Sequence, residues 1–302
     1  MLVFTGSVFS RRAYRVVFAA LTLGTVSCVG SSTVAPTFMP AGQNDGVLVG
    51  AGDIADCGPG ATATALLLDQ IDGVVFTAGD DAYPSGSAGD FRRCYEPTWG
   101  RHKARTRPAP GNHEYETAGA FPYFDYFGAN AGTPGLGYYS FDVGEWLVLS
   151  LNSNVDAGPN SPEMAWLRQT LEERLAHCIA AIWHHPLASS GPNGNSPRMR
   201  GVWALLQEFG AEFVISGHDH LYERFAPLGP QGEPSSLGIR SFIVGTGGAP
   251  LYQPQTLHRG SEVRASVWGV LKLTLRPSSY EWTFVSVPGT GALVDQGSAP
   301  CD

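Results

Sequence analysis

Four times along the chain, a near-continuous apolar run stops at a residue whose side chain can hold a cation. Val47-Leu48-Val49-Gly50-Ala51-Gly52 stops at Asp53, and Val74-Val75-Phe76-Thr77-Ala78-Gly79 stops at Asp80. Ile179-Ala180-Ala181-Ile182-Trp183 stops at His184, and Phe213-Val214-Ile215-Ser216-Gly217 stops at His218. Apolar runs without alternation read as buried strands covered on both faces. Helical stretches lie between them: Ala61 to Gln70, Pro162 to Ala176 behind the N-cap candidate Ser161, and Arg198 to Phe209. Helix and strand in alternation indicate the α/β class, in which ligands gather outside the carboxyl ends of the strands. Beyond Gly217 the pattern changes to strands parted by turn residues, at Ile239 to Val244, Gly269 to Leu275 and Tyr280 to Val287. Tyr138 to Leu151 reads as a hairpin turning near Asp142-Val143-Gly144. The expected fold is one domain over residues 47–302, a four-layer α/β/β/α sandwich of two mixed sheets flanked by helices.

The amino-terminal pattern is of another kind. Ser10-Arg11-Arg12-Ala13-Tyr14-Arg15 precedes the apolar run Val16 to Val26. A basic stretch before a run shorter than the ~20 residues that span a bilayer reads as an export signal over residues 1–27, and the Arg pair resembles a twin-arginine signal. An uncleaved anchor reaching Gly30 is the alternative. Thr25-Val26-Ser27-Cys28 looks like a loose lipobox, so membrane attachment through a lipid on Cys28 and plain cleavage nearby both stay open. Residues 28–46 are small, polar and Pro-broken, a flexible tether. The expected location is outside the cytoplasm: periplasmic, anchored in the cell envelope or extracellular. Apart from Cys28, the cysteines are 57, 94, 178 and 301, enough for two disulfides in an oxidising compartment. Their connectivity is open, with Cys57–Cys94 one candidate because both lie just beyond strands expected side by side.

Composition narrows the partners. Over 302 residues, 11% aromatic content and regular apolar runs exclude disorder. Lys and Arg number 19 against 27 Asp and Glu, for a net charge of −8, and no basic block exists. That removes the electrostatic footprint of nucleic-acid binding.

The candidate chemistry lies in five blocks: Gly52-Asp53, Gly79-Asp80-Asp81-Ala82-Tyr83, Gly111-Asn112-His113-Glu114, His184-His185-Pro186 and Gly217-His218-Asp219-His220. Any one alone is an ordinary turn or cap; together they point to a metal site. Their donors are carboxylate, imidazole, amide carbonyl and phenolate, without thiolate, which excludes a Cys-rich structural zinc and favours iron, zinc or manganese. Two histidines one residue apart can serve two neighbouring cations, and a carboxylate such as Asp80 can bridge them. Two ions ~3.5–4 Å apart are the arrangement for in-line attack at phosphorus.

From about Val47 to Arg224, these blocks in this order resemble the metallophosphoesterase superfamily, the calcineurin-like phosphoesterases. Tyr83, three residues after Asp80, and the tail His218-Asp219-His220-Leu221-Tyr222-Glu223-Arg224 look like the short, single-domain purple acid phosphatases within it. The resemblance implies a phosphoric monoester hydrolase acting on a small phosphate ester. One ion, ferric, would be held by Asp53, Tyr83 and His220 with Asp80 bridging. The second, ferrous iron, zinc or manganese, would take Asp80, Asn112, His184 and His218. A metal-generated hydroxide would attack phosphorus, and His113 beside Asn112 would stabilise or protonate the leaving oxygen. Two departures stand out. Ala55 replaces the usual Gly of the first motif, and its methyl is expected to narrow the pocket. Asn193 stands where many relatives carry a further His near the ions, which weakens the "acid" part of the label.

Other residues are expected to do structural work. His185 is read as a strand-end neighbour, Asp81 and Asp219 as facing away, and Glu223–Arg224 as a pair beneath the site. His102, His177 and His258 are placed at the surface, and the aromatic stretch Tyr115 to Phe127 largely in local core. Competing functions are a phosphodiesterase acting on nucleotides or phospholipids with the same site, and a surface lipoprotein that binds without catalysis. The oligomeric state is left open.

Overall fold

The computed structural model describes residues 45–291 and 293–301. The expected export signal (1–27), Cys28 and the tether up to residue 44 lie outside the described residues. The first half of the chain forms β1 (Gly46–Ala51), α1 (Pro59–Leu68), β2 (Val74–Ala78), the single turn α2 (Ala88–Asp90), β3 (Thr106–Ala109), α3 (Phe121–Phe127), β4 (Tyr139–Val143) and β5 (Trp146–Ser150). Next come α4 (Pro162–Glu173), β6 (Cys178–Ile182), α5 (Arg200–Glu208), β7 (Phe213–Ser216), β8 (Tyr222–Phe225) and β9 (Arg240–Val244). The last strands are β10 (Ser261–Ala265), β11 (Gly269–Arg276), β12 (Ser279–Ser286) and β13 (Asp295–Pro300).

Two mixed sheets result. One has the order β13-β12-β11-β1-β2-β3, the other β10-β8-β9-β7-β6-β5-β4. Strands β1, β2 and β3 run parallel, as do β5, β6, β7 and β9; the remaining neighbours are antiparallel. Successive strand residues face opposite sides, and the second sheet uses both. Trp146, Val148, Ala180, Ile182, Phe213 and Ile215 face the core shared with Leu48, Leu271 and Leu273 of the first sheet. The alternate residues Leu147, Leu149, Ile179, Ala181 and Val214 pack under Met164, Leu167 and Leu171 of α4 and Val202, Trp203 and Leu206 of α5. This is why those strands carry no polar alternation in sequence. Helix α4 starts as expected, with the Ser161 hydroxyl accepting from Met164 N at 3.1 Å ahead of Pro162.

Disulfides join Cys57 to Cys94, with Cα atoms 4.5 Å apart, and Cys178 to Cys301, 5.7 Å apart. The second ties the start of β6 to the residue after β13, and so one sheet to the other.

Several expectations need correction. The fold starts at Gly46 within β1 rather than at Val47, and Asp45 at the tether's end already pairs with Arg276 at 2.6 Å. Strands β3, β8, β10 and β13 carry no apolar run. Thr106-Arg107-Pro108-Ala109 and Asp295-Gln296-Gly297-Ser298-Ala299-Pro300 hold Pro and polar residues because β3 and β13 are edge strands, where an absent N–H costs no ladder bond. Glu223 and Arg224 do not pair with each other. As neighbours on β8 they face opposite sides: Glu223 accepts from Ser190 N and Oγ at 2.8 and 2.6 Å, while Arg224 binds Asp295 at 2.8 and 3.0 Å. Ala55 is fully buried in the core and does not line the cavity beside the metal centre.

Candidate metal centre

Five of the seven proposed ligands stand just past the carboxyl end of a strand. Asp53 and Asp80 follow β1 and β2 by two residues, Asn112 follows β3 by three, and His184 and His218 follow β6 and β7 by two. Both sheets therefore deliver side chains to one place. The turns that do so are tight: Asp53, Asp80 and His218 have φ of 58°, 53° and 71°, a left-handed conformation uncommon for non-glycine residues and typical of functional sites. Gly217 is required for space. A Cβ there would lie 2.5 Å from Asp53 Oδ2.

The seven residues converge in two overlapping groups. Tyr83 OH lies 3.1 Å from Asp53 Oδ1, 3.2 Å from Asp80 Oδ2 and 3.2 Å from His220 Nε2. His184 Nε2 lies 3.3 Å from the same Asp80 oxygen, 3.0 Å from Asn112 Oδ1 and 3.2 Å from His218 Nδ1. Asp80 Oδ2 thus belongs to both groups.

The far side of each group is occupied. His184 Nδ1 donates to the Ala78 carbonyl and His220 Nδ1 to the Pro250 carbonyl, both at 2.8 Å. Asp53 Oδ2 accepts from His218 N at 2.8 Å and Asp80 Oδ1 from His113 N at 2.9 Å. With Nδ1–H committed, the Nε2 atoms of His184 and His220 carry lone pairs, and these face carboxylate and amide oxygens at 3.0–3.3 Å. Lone pair against lone pair is stable only with protons or cations between them. Without a cation, His184 takes up a proton. Burial opposes this, but the Asp80 and Asp53 carboxylates raise its pKa to about 10. Burial likewise opposes charge on Asp80, yet the His184 and His113 imidazoles hold its carboxyl well below the usual range. Burial and then Asp53 and Asp80 push the Tyr83 phenol far up, so a phenolate there needs a bound cation. Hard oxygen donors mixed with imidazole fit iron, zinc or manganese.

The framework around the centre includes residues the sequence did not single out. Glu114, fully buried, accepts from Asp80 N at 3.0 Å, Asp81 N at 2.9 Å, Ala82 N at 3.3 Å and Gly111 N at 2.7 Å. It fastens the Asp80 loop to the Asn112 loop. Tyr252 stacks on His220 with ring centroids 4.1 Å apart and planes 8° apart. Glu114 stood in a recognised block; the Tyr252 ring and the carbonyls of Ala78 and Pro250 carry no sequence signal.

The remaining expectations divide. Asp219 does face away, accepting from Ser189 Oγ and, at 2.9 Å, from Asn193 N. Asn193 donates its amide to the His218 carbonyl at 2.9 Å. Asp81 is fully buried. His185 comes closer than a mere neighbour: a ring nitrogen of each of His184, His185 and His218 lies within 4.8 Å of the others. Its Nδ1 sits 2.8 Å from Ser153 Oγ, and burial followed by the charges of His184 and His218 pushes its pKa down to about 2. His113 is half-buried, its ring 4.4 Å from that of Tyr83 and its Nε2 3.8 Å from Asp80 Oδ2. Tyr123, Phe124 and Phe127 are core, whereas Phe121 is 64% exposed. Of the histidines placed at the surface, His177 is exposed while His102 and His258 are half-buried.

The family model for calcineurin-like phosphoesterases matches residues 34–222. The chain belongs to this family. Among curated relatives it is similar to Purple acid phosphatase 23 of Arabidopsis thaliana, 28% identical over 44% of this chain and 34% of that one. Purple acid phosphatase 21 of the same plant is also 28% identical, over 48% and 37%. The chain thus spans about a third of the length of the curated relatives it matches. A solved purple acid phosphatase from yellow lupin (Lupinus luteus) seeds superposes with a TM-score of 0.65 at 19% identity, covering 86% of this chain and 54% of that one. GAP50, the anchor in the inner membrane complex of Plasmodium, gives 0.65 at 14% identity, covering 85% and 89%. These two likenesses establish the fold, which serves an enzyme in one case and an anchor in the other. Among the described residues no helix is long and apolar enough to cross a membrane.

Proposed function

We propose that this chain is a metal-dependent phosphoric monoester hydrolase of the purple acid phosphatase kind. The observation that carries the proposal is the convergence of Asp53, Asp80, Tyr83, Asn112, His184, His218 and His220, with lone pairs inward and far atoms tied to backbone. All seven ligand positions are filled, which speaks against a binding protein that has lost catalysis. Asp53, Tyr83 and His220 would hold one cation, Asn112, His184 and His218 the other, and Asp80 would be shared. The phenol favours ferric iron in the first place; iron(II), zinc or manganese suits the second.

Bound cations would supply the attacking nucleophile and neutralise the ester oxygens. The chain's own residues do the rest. Glu114 keeps the Asp80 and Asn112 loops in register, so the donors are positioned before the substrate arrives. His113 donates Nδ1–H to the Pro84 carbonyl, which fixes its ring. Its imidazolium Nε2–H then passes a proton to the departing alkoxide, leaving neutral imidazole. Asn193 offers no titratable group, so a strongly acidic optimum is not expected from that position. The export signal over residues 1–27 places the enzyme outside the cytoplasm, with Cys28 as the site of any lipid.

The test is metal analysis of the purified protein together with hydrolysis of p-nitrophenyl phosphate and its bis ester. Two metals per chain and preference for the monoester are expected, with His184→Ala and His218→Ala each losing one metal and turnover. Full metal content and activity in either variant would refute the ligand set. Preference for the bis ester would make the enzyme a diesterase.

A further inference from the structure

Beside the metal centre lies a cavity of ≈ 520 Å³ whose walls include His185, His218, Asn193, Asn195, Ser196 and Arg198. His218 belongs to the centre, so cavity and centre are contiguous. The volume falls within the ~300–1,000 Å³ of small-molecule sites and far exceeds one phosphoryl group. Its polarity is one-sided. No carboxylate lines it, although the chain as a whole carries a net charge of −8. Neutral amides and a hydroxyl come from Asn193, Asn195 and Ser196. The one full charge is Arg198.

Arg198 is held rather than loose. Its Nη1 donates to the Ser153 carbonyl at 2.8 Å, and the Ser153 hydroxyl bonds His185 Nδ1 at 2.8 Å. The guanidinium makes no ion pair among the described residues. A carbonyl anchor uses one of five N–H donors and neutralises nothing, so a planar fork remains for an anion. Ion-paired arginines such as Arg224 have no such capacity, because Asp295 already fills the fork.

We propose that Arg198 and this cavity form a subsite for a second anionic group of the substrate, which is therefore a phosphate ester bearing a carboxylate or another phosphate remote from the scissile phosphoryl. The proposal rests on the phosphatase reading for its reaction and on the cavity for its selectivity. The His185 ring and the amide walls accept the body of the leaving group, and the guanidinium takes the distal anion bidentately.

Phenyl phosphate and 4-carboxyphenyl phosphate are the probe pair, compared in the metal-loaded parent, Arg198→Gln and Arg198→Lys. The parent is expected to favour the carboxylated ester through a lower KM. In Arg198→Gln the ratio of kcat/KM between the two esters should fall by roughly 10- to 100-fold, the weight of a charge-assisted pair. Arg198→Lys should restore part of that ratio. A ratio unchanged by Arg198→Gln, even with both activities lowered, would make Arg198 only a brace for Ser153 and overturn the subsite. Calorimetric binding of phenylphosphonate and 4-carboxyphenylphosphonate reads the same discrimination without turnover. Failure to hydrolyse either ester would therefore remove the phosphatase reading, while the subsite stands or falls on the phosphonate affinities.

Discussion

Glu163 allows a sharp test of the energetics of a buried carboxyl group. It follows Pro162 at the start of α4 and is 1% exposed. Its Oε1 accepts from Asn152 N at 2.7 Å, whereas Oε2 is buried with no hydrogen-bond partner among the described residues. Burial raises the carboxyl pKa from 4.5 to about 8, with the Asn152 N–H opposing. The folded protein therefore keeps a proton that the unfolded chain has released. This contribution to stability is complete below the unfolded pKa near 4.5, and it is lost as pH rises to the folded value of about 8. At ~1.4 kcal/mol per unit of difference, the loss between pH 5.5 and 8.5 comes to about 3 kcal/mol. Glu163→Gln keeps an acceptor for Asn152 N and removes the titration. Urea denaturation of parent and variant, at both pH values and equal metal content, should show the variant gaining about 3 kcal/mol on the parent at the higher pH. The pH response of other groups cancels in that difference. A variant whose pH profile runs parallel to the parent's would refute the reasoning.

Other expectations follow from the centre and its surroundings. His113→Ala should retain both metals and lose roughly 10²–10⁴-fold in turnover on phenyl phosphate. The loss on p-nitrophenyl phosphate, whose leaving group needs less protonation, should be smaller; equal losses would contradict the proton-donor role. If ferric iron occupies the Asp53–Tyr83–His220 position, the oxidised protein should absorb visible light and Tyr83→Phe should be colourless, as absorption spectra of the two would show. A colourless parent with two zinc or manganese ions would refute the phenolate assignment. Replacing Cys178 and Cys301 by Ala opens a crosslink spanning 123 residues and should cost on the order of 2–5 kcal/mol in chemical denaturation. No measurable loss would mean that the edge strand β13 holds without its bridge.

How much of this was legible in the sequence depends on what each part of the fold does. Buried parallel strands announce themselves, because both faces of β1, β2, β6 and β7 meet apolar layers, and the ligands stand just after them. The ligand blocks were readable for the same reason. Edge strands were not: β3 carries Arg107 and Pro108, and its place is set by pairing with β2 rather than by its own composition. Nor could the support of the centre be read in full. The imidazoles of His184 and His220 are oriented by backbone carbonyls, which every residue has, and Tyr252 approaches His220 from a loop 32 positions away. The nearness of Arg198 to His218 depends on how residues 193–198 fold back, and no periodicity encodes that.

The crowding at Gly217 has a consequence for transplanting the centre or tracing its descent. The transferable unit is larger than seven donors. It includes the left-handed turns at Asp53, Asp80 and His218 and the empty volume beside Gly217 into which an Asp53 oxygen reaches. A lineage that exchanges a ligand can recover it by one reversal, because the cradle is still open. A lineage that places a side chain at residue 217 displaces the Asp53 carboxylate and the turn that carries it, and a single reversal then finds a different backbone waiting. Copies of this fold that have turned to anchoring or scaffolding should therefore be sorted by their glycines as well as by their histidines.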